Sequence, residues 1–116
     1  MIRTDGDGGS GVRVWVATAP VDMRKGFDGL AEVVRAFLGH DPLSGSLFVF
    51  RNRSSQRVKV LWWDRNGYCL LYKRLHRAAF EIPRSTDTGG SKVTIDGPQL
   101  ARLLAGVPRS KPSKNA

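Results

Sequence analysis

The stretch RVKVLWWDRNGYCLLYKRL, residues 57–75, decides how the rest of the chain is read. Two runs rich in β-branched and aromatic residues flank Asn66-Gly67. That pair is favoured in two-residue type I′ turns, where both central residues take positive φ. The pattern predicts an antiparallel hairpin with its turn at Asn66-Gly67. Arg65 then faces Tyr68, Trp63 faces Leu70, Leu61 faces Tyr72, and Lys59 faces Arg74. Because side chains alternate along a strand, the two faces can be sorted. One carries Val58, Val60, Trp62, Cys69, Leu71 and Leu75, with Asp64 and Lys73 near its ends, and reads as a core face. The other carries Arg57, Lys59, Leu61, Trp63, Arg65, Tyr68, Leu70, Tyr72, Arg74 and His76, and mixes cations with aromatics.

Upstream, VRVWVAT (12–18) alternates and predicts a strand. Met23, Phe27, Leu30, Val34 and Leu38 then fall on one stripe of an amphipathic helix. Asp22 serves as its cap and Gly39 as its stop. LFVF (47–50) adds a strand before the hairpin. Downstream, a polar loop follows FEIP (80–83), KVTID (92–96) is a short strand, and GPQLARLLAGV places Pro98 at the first position of a helix that Gly106 ends. The expected fold is α+β. A small, mainly antiparallel sheet, a β-meander, carries one long helix packed on it and a short C-terminal helix. Residues 1–11 read as a flexible leader, 12–106 as a single domain, and 107–116 as a disordered basic tail.

Charge points toward a polyanion. Nineteen Lys and Arg against ten Asp and Glu give a formal net charge of +9, and neutralising phosphates releases counterions. Between Arg51 and Arg77 lie eight Lys or Arg and one carboxylate, Asp64. Arg51, Arg53, Arg57, Lys59, Arg65, Arg74 and Arg77 are therefore candidate phosphate contacts. Trp63, Tyr68 and Tyr72 are candidate platforms for base stacking. The alternative is that Trp63, Tyr68 and Leu70 bury beneath the helix while the cations reach water at its edges. Arg24 and Lys25, beside the free N–H groups of a helix start, form a second candidate anion site. Their competing reading is local: Arg24 paired with Asp28 and Lys25 solvated.

Catalysis finds little support. The carboxylates are scattered, with no pair spaced to hold two metal ions. His40, His76 and Cys69 match no zinc spacing. No catalytic residue, metal site or cofactor is expected. One cysteine excludes an internal disulfide and fits a reducing compartment, no apolar run approaches the ~18 residues of a membrane span, and the expected location is the cytoplasm.

ATAPVDMRKGFDGLAEVV, followed by DPLSGSLFVFRNRSSQRVKVLWWDRNGYCLLYKRLHRAAFEIP, closely resembles the TnpB accessory proteins of the insertion-sequence family sixty-six. The likeness runs from about Val14 to Pro83, and LARLLAG resembles that family's ending. The resemblance implies a protein of a mobile element that serves DNA transposition beside a transposase and other products of the same element, with no enzymatic activity of its own. It does not extend to the RNA-guided nuclease of the same name. Two functions follow as expectations: a basic nucleic-acid-binding factor with DNA as partner, or an adaptor that docks on the transposase without specific DNA contacts.

Overall fold

The computed structural model describes residues 12–83 and 90–108. Strand β1 (Val14–Ala17) leads to helix α1 (Phe27–Val33), which widens into a π-helical turn over Val34–Leu38 and then gives way to β2 (Leu47–Arg51). Strands β3 (Arg57–Asp64) and β4 (Gly67–Arg74) form the hairpin. After β5 (Ala78–Ala79) and β6 (Lys92–Ile95) come helix α2 (Gly97–Ala105) and β7 (Val107–Pro108). The main sheet has five strands in the order β4-β3-β2-β1-β6, and β5 pairs with β7 in a two-stranded ribbon. Val107–Pro108 thus belongs to the fold; residues 1–11 and 109–116, read as leader and tail, otherwise lie outside the described residues.

This architecture overturns two parts of the expected fold. The sheet is mixed, because β1 and β2 are parallel neighbours, Val14 opposite Leu47 and Val16 opposite Val49. A strand followed by a helix returns to the same end of the sheet, so the next strand runs parallel; only β2-β3-β4 form a meander. Nor, among the described residues, does a long helix pack on the sheet. These residues are mostly sheet with two short helices, the first of seven residues plus a five-residue π turn, the second of nine.

The first helix starts late because of Asp22. Its carboxylate accepts the Arg24 N–H at 2.9 Å and the Arg24 guanidinium at 2.8 Å, while its carbonyl accepts the Lys25 N–H at 3.1 Å. The residues expected to open the helix therefore close a turn ahead of it. Gly26 is left as a cap without a side-chain bond. At the other end Gly39 takes φ 68° and stops the helix as expected. Helix α2 is held by a reciprocal box between Asp96 and Gln99. It begins at Gly97, one residue before Pro98.

Both faces of the sheet are covered. Leu30, Ala31, Val33, Val34 and Leu38 of the first helix bury against Ala17, Phe48, Phe50 and Leu61. On the other face, Val14, Val16, Leu47, Val49, Val58 and Val60 pack with Phe80, Ile95 and Leu103. Each Val, Leu, Ile or Phe side chain so buried contributes on the order of 1.5–3 kcal/mol. The two edges of the main sheet are β4 and β6.

Candidate nucleic-acid interface

The hairpin pairs in a different register from the expected one. Asp64 faces Gly67, Trp63 faces Tyr68, Leu61 faces Leu70, Lys59 faces Tyr72 and Arg57 faces Arg74. The two turn residues are Arg65 and Asn66, and only Arg65 takes positive φ, at 60°. That is the sign pattern of a type II′ turn rather than I′. The slip is two residues, so parity is preserved and every side chain stays on its expected face. Cross-strand packing outweighs the turn preference: Trp63 and Tyr68 meet edge to face with centroids 5.1 Å apart, and such aromatic pairs stabilise a ladder.

The first helix does not cover this face evenly. Tyr68 and Leu70 pack against the helix-side core, and Leu61 lies wholly inside it. Lys59 is also buried, at 6% exposure. Its ammonium donates to the carbonyls of Met23 at 2.7 Å and Lys25 at 2.8 Å. The same Nζ lies 4.7 Å from the centroid of the Tyr72 ring. Tyr72 is half exposed, at 50%, and Arg57 Nη1 donates to its hydroxyl at 3.1 Å. Arg57, Tyr72 and Arg74 together line a shallow depression.

The expected cations gather chiefly at one end of the sheet, the end away from the hairpin turn. Arg57 and Arg74 face each other there. The loop carrying Arg53 and the segment carrying Arg77 meet beside them, since Leu75 donates to Gln56 and Phe80 to Ser55. The segment leading into the 22–25 turn joins Arg51 through the Val21 N–H on the Arg51 carbonyl, and the turn itself is held to β3 by the two bonds of Lys59. Arg24, Lys25, Arg53, Arg74 and Arg77 are exposed. Arg65 is exposed as well but sits at the turn, roughly 25 Å away at about 3.3 Å per strand residue. Trp63 and Tyr68 lie toward that turn and are half-buried.

Several of these cations are already engaged. Arg24 pairs with Asp22 at 2.8 Å rather than with Asp28. Its hydrogen bonds, first the guanidinium and then the N–H, hold the Asp22 carboxyl down at about 2. Arg51 Nη2 donates to the Thr18 carbonyl at 2.8 Å and ties β2 to the end of β1. Lys73, which alternation places on the core face, donates to the Leu104 carbonyl at 2.8 Å and caps the C-terminus of α2. Sequence reasoning passed it over, and its position at the solvent end of an apolar face was the available signal. Among the described residues no group of three or more His, Cys, Asp or Glu could hold a metal ion. No helix among them is long and apolar enough to cross a membrane.

The geometry defines a class first: a small mixed-sheet domain, helices on both faces, with a cationic end built around an edge hairpin. The chain belongs to the IS66 Orf2-like family, whose sequence profile matches residues 12–114. Membership makes it a transposition-associated accessory protein of an insertion sequence. Two proteins of Sinorhizobium fredii (strain NBRC 101917 / NGR234) are similar to it. "Uncharacterized protein y4hO" is 46% identical over 99 residues, covering 85% of this chain and 84% of the relative. "Uncharacterized protein y4jC" is 40% identical over 97 residues, covering 84% and 80%. No solved structure matches the chain.

Proposed function

We propose that the chain is a DNA-binding accessory factor that works with the transposase of its element, contacting phosphates through the cationic end of the sheet. The observation that carries this reading is the convergence of Arg24, Lys25, Arg53, Arg57, Arg74 and Arg77 from four separate segments on one end of the fold. Of the nearby carboxylates, Asp22 is taken by Arg24, Asp28 stands exposed in the first turn of α1, and Glu81 lines a separate depression beside α2. Convergent cations with few counter-charges favour a polyanion.

A titration of duplex DNA over a range of salt concentrations tests it. Each phosphate neutralised should add about −0.9 to the slope of log K against log salt. The triple substitution Arg53→Gln, Arg74→Gln, Arg77→Gln should weaken binding and flatten that slope by about 0.9 for each phosphate left without its cation. Absence of binding at low salt, or a slope the triple variant leaves unchanged, overturns the reading.

One observation favours an adaptor instead. Trp63 and Tyr68 are half-buried and turn their rings toward each other, and Tyr68 also packs on the core. An adaptor whose basic surface matches an acidic partner would hold the purified transposase less well without the three arginines, and would show no DNA binding alone.

A further inference from the structure

Three aromatics were expected on the mixed face, and the structure treats them unequally. Trp63 and Tyr68 shield each other at 5.1 Å. Tyr72 does not share in that pair. One side of its ring lies against the buried Lys59 ammonium, 4.7 Å from the centroid. The residue is half exposed, and it stands on β4, an edge strand of the main sheet with no further strand of that sheet beyond it. Arg57 fixes the hydroxyl at 3.1 Å, so the ring is held at both its edge and one face. Arg57 and Arg74 flank it as the other walls of the same depression.

We propose that Tyr72 is a stacking platform for an unpaired nucleobase, with Arg57 and Arg74 taking the phosphates on either side. Single-stranded nucleic acid is then the preferred ligand of this end of the sheet. The inference rests on the nucleic-acid reading above and deepens it. A single half-exposed ring, walled by guanidinium groups, suits a base that can splay out of its strand. Stacking tolerates any base because each has a π face. The bases of a duplex are already stacked and paired, so a duplex offers this site only its phosphates.

The test uses the full chain and three labelled probes: an oligothymidylate of about 12 nucleotides, an oligouridylate of equal length, and a duplex of that length, a span within one small binding site. Tyr72→Phe keeps the ring and Tyr72→Leu keeps only apolar bulk, so both cover the strand and thermal melting checks that both fold. The Phe variant should bind each strand within about twofold of the parent, and the Leu variant about five- to tenfold more weakly. Duplex affinity should be unchanged in both. Weaker binding of either strand by the Leu variant supports the platform, and the tighter of the two strands tells DNA from RNA as its source. Equal strand binding by the Phe and Leu variants, or a Leu effect as large on duplex as on strand, overturns the platform while leaving the DNA-binding proposal intact. A parent protein that binds none of the probes overturns both.

Discussion

Arg65 holds a backbone conformation that a side chain disfavours, with φ at 60° in the hairpin turn. An L-residue at such a φ costs about 1–2 kcal/mol. Arg65→Gly should raise stability by up to about 1 kcal/mol, glycine returning part of the relief through the entropy of the unfolded chain. In a domain of this size that is a rise in melting temperature of a few degrees, and an unchanged or lower value would refute the turn assignment. Gly67, by contrast, is a strand residue without positive φ, and a Cβ there would meet nothing within 4 Å. Gly67→Val should be nearly neutral. The misplaced turn shows which part of the hairpin was legible. Alternation alone sorts the faces, whereas the exact register depends on which side chains fit across the ladder, and Asn66-Gly67 was a local preference that the Trp63–Tyr68 contact outweighed. The same limit applies to Lys59. Its charge was legible, but its use as an internal donor depends on two carbonyls contributed by a turn more than thirty residues away.

At the scale of elements, the first helix was legible at its end and not at its start. Gly39 is a strong stop, but Met23 fits the apolar stripe and Asp22 fits a cap, and only the Asp22–Arg24 bonds reveal a turn. Just past the π turn, His40 donates its N–H to the Val34 carbonyl at 3.1 Å and sets its ring 4.4 Å from Trp15 and 6.1 Å from Phe48. Burial, reinforced by the positive charge of Lys92, holds its pKa below the ordinary 6.5. The unfolded chain therefore binds more protons near and below that value. Stability should be full above pH 6.5 and fall as the pH drops through the lowered folded pKa. His40→Phe keeps the ring contacts and removes the titration, so its melting temperature should depend less on pH across this window. Identical pH profiles for the two proteins would show that His40 does not carry the effect.

For the whole molecule, the meander β2-β3-β4 was legible because its strands are close in sequence, and the place of β6 was not. Its partnership with β1 joins residues far apart in sequence, Val14 to Ile95 and Val16 to Val93. Nothing local in either segment names the other. Likewise the count of cations says nothing of where they lie; their meeting at one end of the sheet depends on a turn, a loop and the segment after β4 coming together there.

That distant pairing gives the molecule a history during its synthesis. At about 5–20 residues per second, roughly 4–15 seconds separate the appearance of Ala17 from that of Lys92 on the ribosome. The β3–β4 hairpin, whose kind closes in about 1–10 μs, is complete long before then. Until β6 arrives, β1 has β2 on one side and an open row of N–H and C=O groups on the other, a template for pairing with a neighbouring nascent chain. A chain ended at Pro83 should freeze that moment, remaining able to form the hairpin yet associating through β1. Sedimentation should find it aggregated where the full chain is not, and a monomeric, cooperatively melting truncation would show that β6 is dispensable as a guard on that edge.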